Sequence, residues 1–129
     1  MIIVQPHGWP SPKGYSNGII ATGRFLAIAG QIGWNEQGEI VADDFTAQAA
    51  QSLRNVLAVV RAAGGDAEHI VRMTWYVTDK RAYLNASQTL GAVYRELLGT
   101  HFPAMTLVEV RSLLEDRARV EIEATAILP

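Results

Sequence analysis

The chain has 129 residues, of which 49% are hydrophobic and 19% charged, and a formal net charge of −2. That suits one buried core in a globular chain and excludes a disordered one, and the charge offers no basic footprint for nucleic acid or an acidic membrane. No cysteine is present, which excludes disulfides, thiolate catalysis and cysteine-ligated metals.

Met1-Ile2-Ile3-Val4-Gln5-Pro6 starts apolar but carries no basic segment and no long apolar run. Neither a secretion signal nor a membrane span is expected, and the cytoplasm is the expected location. Residues 1–14 read as an irregular arm, because Pro, Gly and Ser crowd residues 5–18. His7, Trp9 and Tyr15 sit in this region, and such aromatics are expected to bury against a neighbour. Asn17–Thr22 and Phe25–Gly30 are short apolar runs, predicted to pair as a hairpin turned at Thr22-Gly23-Arg24. A loop over Gly33–Ile40 follows. Asp43 or Asp44 then caps a helix running to Ala63, with Phe45, Ala49, Leu53, Val56 and Val60 at helical spacing and Gly64-Gly65 ending it.

His69–Thr78 is β-branched and aromatic, hence a strand. Met73, Trp75 and Val77 fall on one face; Arg72, Thr74 and Tyr76 fall on the other. Leu84, Leu90, Val93, Tyr94 and Leu97 predict one helix from Arg81 to Leu98, closed by Gly99. Two strands end the chain, Ala104–Arg111 and Ala118–Leu128, joined by a charged turn at Glu115-Asp116-Arg117.

The order ββαβαββ predicts one α+β domain over residues 1–129. Right-handed crossovers place both helices on one face of a mixed sheet. The other face stays uncovered, and its strands carry large apolar residues. An uncovered apolar face marks an interface, so a homo-oligomer is expected.

Glu121 and Glu123 are two apart on one strand and point the same way. They form an acid–base pair if they face an interior, and a solvated strand face if they do not. Trp9 and Trp34 are candidates for stacking on a planar ligand, weighed against anchoring the arm or an interface. His7, His69 and His101 show no metal-ligand spacing, and the glycines form no phosphate loop. No cofactor and no metal are expected.

Several segments stand in a specific order: Gly14-Tyr15-Ser16-Asn17-Gly18, Ala29-Gly30-Gln31-Ile32, Ile70-Val71-Arg72-Met73-Thr74-Trp75-Tyr76-Val77-Thr78-Asp79, Phe102-Pro103-Ala104 and Val120-Glu121-Ile122-Glu123-Ala124. On these the chain resembles the RidA/YjgF family of small imine and enamine deaminases, the endoribonuclease L-PSP type, from about Tyr15 onward. The resemblance implies a chorismate-mutase-like fold and a homotrimer whose sheets line a central barrel, with three intersubunit clefts for small ligands. It implies that Tyr15 reaches the cleft and that the Gly30 backbone, with Gln31 beside it, meets ligand or water. It implies that Glu121 positions the hydrolytic water.

Met105 stands where the family's Arg clamps the substrate carboxylate, and Gly91 where its cleft Asn falls. A thioether offers no positive charge and cannot replace a guanidinium fork. Met105 is therefore read as an apolar wall for a less anionic substrate, or as a core Met beside Phe102. Arg111 is six residues from Met105, about 20 Å along an extended strand, too far to substitute. Arg119 shares a strand face with Glu121 and Glu123, and Arg72 lies on a neighbouring strand. The expected function is hydrolytic deamination of an imine or enamine other than 2-iminopropionate. The alternative is a trimer that binds a metabolite without turning it over. RNA cleavage or translational inhibition is the third reading, opposed by the acidic balance.

Overall fold

The computed structural model describes residues 1–129. Its elements are β1 (Ile2–Val4), β2 (Gly18–Ile20), β3 (Arg24–Gln31), α1 (Phe45–Ala62), β4 (Ile70–Val77), α2 (Lys80–Asn85), α3 (Ser87–Leu98), β5 (Ala104–Glu109) and β6 (Val120–Leu128). Four strands form a mixed sheet in the order β3-β6-β4-β5, with β6 antiparallel to both neighbours and β5 parallel to β4. The α+β expectation holds, with helices packed on one sheet face. No helix is long and apolar enough to cross a membrane.

The core is a direct consequence of two periodicities. In α1 the residues at helical spacing, among them Ala49, Leu53, Val56 and Val60, are buried. In β6 every second residue is buried: Val120, Ile122, Ala124, Ala126 and Leu128. Met73, Trp75 and Val77 of β4 join them in one cluster, each buried Val, Leu or Ile being worth about 1.5–3 kcal/mol. Asp44 caps α1, its carboxylate accepting from the Ala47 N–H at 2.9 Å.

Four expectations need correction. The predicted hairpin does not form: β2 pairs with β1, and β3 pairs with β6. Gly23 serves a close approach instead of a two-strand turn, because any Cβ there would overlap the Leu128 carbonyl at the end of β6. The N-terminal arm is not irregular throughout, since Ile2-Ile3-Val4, all β-branched, add a strand against Gly18–Ile20. The single helix over Arg81–Leu98 is two. It breaks at Ala86, which sits at φ −94°, ψ 8° between Asn85 and Ser87, two residue types of weak helix propensity. The open sheet face is also less apolar than expected. Its centre carries Arg72, Thr74, Tyr76, Glu121, Glu123 and Thr125, while Phe25 and Val108 lie on the two edge strands and Ile127 near the end of β6.

One polar side chain holds the loops to the core. Gln48 is completely buried on α1. Its amide donates to the Ala42 carbonyl at 2.8 Å and the Arg117 carbonyl at 3.1 Å, and accepts from the Arg119 N–H at 2.8 Å. This ties the loop before α1 to the start of β6. Gln48→Leu keeps the volume but strands all three partners, at a cost of about 2–4 kcal/mol. Urea unfolding checks this, and a loss below about 1 kcal/mol would show that the loops do not depend on it.

Candidate functional site

The sequence-predicted residues fall into two groups. The first is Gly30 with Glu121. Between Ile28 and Gln31 the β3–β6 register shifts, so three steps on β3 oppose two on β6. This bulge turns Gly30 onto the open face beside Glu121. A Cβ at Gly30 would overlap the Glu121 carboxylate, 2.8 Å from Cδ and 2.9 Å from Cγ. Only glycine lets the carboxylate lie against bare backbone here. Gln31 follows at the bulge's end and donates to the Ala29 carbonyl at 3.1 Å.

Glu123, two residues on, is engaged by Tyr76, whose hydroxyl donates to Oε1 at 2.6 Å. That hydrogen bond, then desolvation, then the charges of Glu123 and Glu121, raise the Tyr76 pKa. Glu121 makes no hydrogen bond within the chain. The two acids are thus differentiated: Glu123 holds a phenol, and Glu121 is free to hold something else.

The second group is Tyr15 with Met105. The segment before β2 docks along the free edge of β5: the Ser16 N–H donates to the Pro103 carbonyl at 3.1 Å, and Ser16 Oγ to the Phe102 carbonyl. Tyr15, Arg72 and Met105 consequently line one surface hollow. Met105 lies beside Met73 in the β4–β5 register, so it faces the helices. There it also walls a deeper cavity of about 390 Å³, bounded by Trp75, Tyr83, Leu90, Gly91, Tyr94, Arg95 and Phe102. Tyr94 and Phe102 stack with rings 5.4 Å apart, and Tyr94 is fixed by donating to the His101 carbonyl at 2.8 Å. Burial pushes the Tyr94 phenol far up, so it stays neutral. Trp75 meets Tyr83 edge-on at 5.9 Å, and its buried indole N–H has no acceptor.

The two groups do not meet within one chain. Met105 faces the helices and Glu121 the open side, with β4 between their strands. The other candidates lie outside both groups. Ring Nε2 of His101 lies 2.6 Å from the Ile70 carbonyl. Trp34 belongs to a loop whose carbonyls at Ile32 and Trp34 accept from Asn55. Trp9 stays exposed on the arm. Sequence reading missed the cavity. Its one signal was Gly91 and Arg95, four apart on α3 and therefore on one helix face with Tyr94 and Leu90 nearby.

Residues 9–128 match the family described as Endoribonuclease L-PSP, and the chain belongs to that family, the RidA/YjgF family of the resemblance. It is 40% identical over 105 residues to the 2-iminobutanoate/2-iminopropanoate deaminase of Salmonella typhimurium, covering 81% of this chain and 80% of the relative. It is similar to the crystal structure of the Rid-family protein YyfB from Yersinia pestis, with TM-score 0.83 and 33% identity over 98% of both chains. It is also similar to E. coli TdcF, solved with bound serine, with TM-score 0.70 and 35% identity over 100% of both chains.

Two measurements test the open face. Gly30→Ala should destabilise by about 1–3 kcal/mol, and adding Glu121→Ala should recover most of it. Additive losses in denaturant unfolding would show that the two residues do not touch. Tyr76 should ionise above the ordinary tyrosine value of about 10 and move down in Glu123→Ala. Because its folded pKa is raised, its contribution to stability is present below about pH 10 and lost as pH rises through the folded value. A Tyr76 signal in labelled-tyrosine NMR that Glu123→Ala leaves unmoved would refute the pairing.

Proposed function

We propose that this protein is a hydrolytic deaminase of imine or enamine metabolites, acting in the cytoplasm as a homotrimer with the reacting cleft between copies. The observation that carries the reading is the Glu121 carboxylate, unpartnered and laid against the bare Gly30 backbone at a strand bulge. A water held by that carboxylate is activated as a nucleophile. Its oxygen adds to the imine carbon while its proton passes to Glu121, which hands that proton to the imine nitrogen to give a carbinolamine. The carbinolamine hydroxyl then gives its proton to Glu121 as the carbonyl forms and the carbon–nitrogen bond breaks, and Glu121 passes this second proton to the departing nitrogen. Imine and water become carbonyl compound and ammonia.

The opposed faces of Met105 and Glu121 support a cleft shared by two copies, since one chain cannot close both on one ligand. The names of the relatives support the reaction, and the serine in TdcF supports a ligand of amino-acid size. Tyr15 and Met105 form the wall on one copy; Gly30, Gln31 and Glu121 form the opposite wall on its neighbour. Met105 leaves the wall uncharged at that point, so 2-iminopropionate should be a poor substrate.

The test is ammonia release from freshly generated 2-imino acids. Glu121→Gln should lower the rate by about 10²–10⁴ with unchanged thermal stability. Light scattering should give three times the 14.1 kDa chain mass. Full activity in Glu121→Gln would sink the proposed role. A ligand that raises the melting temperature but is never consumed would favour the binding reading instead.

A further inference from the structure

We infer that the aromatic cavity behind β5 selects 2-imino acids with a bulky, aromatic or long apolar side chain, and that Arg95 of α3 holds their carboxylate. The chemistry of deamination rests on the reading above; the binding does not. Three observations converge. The cavity holds about 390 Å³ and is walled by Trp75, Tyr83, Leu90, Tyr94, Phe102 and Met105. That volume lies in the range of small-molecule sites and far exceeds what a methyl side chain fills. The Arg95 side chain is exposed at its margin, yet the guanidinium makes neither an ion pair nor a hydrogen bond within the chain. Gly91, one turn before it, contributes no side chain: a Cβ there would meet only the Arg95 guanidinium, at 3.5 Å. With no side chain at 91, the Arg95 guanidinium lies over bare helix backbone at the cavity.

An apolar wall with one free cation at its margin complements one ligand chemistry, an apolar body carrying a carboxylate. The guanidinium fork matches both carboxylate oxygens. In a chain of net charge −2 it also supplies the local attraction an anion needs. Arg72 is the competing cation, but it lies on the polar open face, where it lines the hollow with Tyr15 and a second one with Thr74 and Glu123, and it does not line the aromatic cavity. Trp75 adds a buried donor that has no partner in the chain.

The experiment compares ammonia release from the imines of phenylalanine and of alanine, produced in situ by an amino-acid oxidase. Wild type should favour the phenylalanine-derived imine by at least about tenfold in kcat/KM. Arg95→Gln should raise KM for it about tenfold with kcat nearly unchanged, and Arg95→Lys should recover part of the loss. Gly91→Phe should fill the cavity and abolish the preference. Preference for the alanine-derived imine, or an unchanged KM in Arg95→Gln, would overturn the inference while leaving the deaminase reading intact. A helix-end role for Arg95 gives that second result, with lowered stability alone. If no imine is turned over, the deaminase reading fails and calorimetry with phenylpyruvate decides the cavity. Binding that Arg95→Gln weakens about tenfold upholds it, and no binding refutes it.

Discussion

Everything positioned in this molecule depends on the alternation of β6. It is an inner strand, flanked by β3 and β4. Val120, Ile122, Ala124, Ala126 and Leu128 enter the core, while Glu121, Glu123, Thr125 and Ile127 are turned away from it. A slip of one residue would bury two carboxylates and expose five apolar side chains. Register is therefore held by energies far larger than any single polar contact. The placement of Glu121 on the open face is a by-product of packing on the other. The clamp from Gln48 fixes where β6 begins, and the close approach at Gly23 fixes where it ends.

The elements with strong periodicity are legible in the chain. Helix α1, strands β4 and β6, and the split of β4 into a buried and a polar face all follow from spacing alone. What is not legible depends on contacts distant in sequence. Gly23 reads locally as a turn glycine, and only the arrival of Leu128 shows it to be a close-approach glycine. Ile2-Ile3-Val4 is too short to register as a strand until Gly18–Ile20 lies beside it. The break at Ala86 lies between Asn85 and Ser87, both of weak helix propensity, and a periodicity argument over eighteen residues averages that local weakness away.

The candidate site shows the same division. Glu121 and Gly30 are suggested by resemblance, but their contact is created by a bulge with no sequence signature of its own. Tyr15 and Met105 are brought together because Ser16 ties the arm to the edge of β5. The cavity is harder still to foresee. Its aromatics come from α2, α3, β4 and the loop before β5, and each alone reads as core. A cavity is a shortfall of packing, and a shortfall leaves no periodic mark.

Position 105 borders both the hollow with Tyr15 and the aromatic cavity. A cation there would sit beside Met73, Trp75 and Leu107, on the helix-facing side of an edge strand. Its desolvation would have to be offset by the ligand it binds. Methionine removes that cost and extends the aromatic wall. Arg95 stands at the cavity's margin, where water solvates the guanidinium when no ligand is bound. A charge on the wall and a charge at the margin admit different ligands. With the charge on the wall, a carboxylate must go deep and the rest of the ligand must be small. With the charge at the margin, the carboxylate stays near solvent and the apolar body takes the interior. Under the selectivity proposed for Arg95, what the cavity takes is set by the depth at which that cation is held.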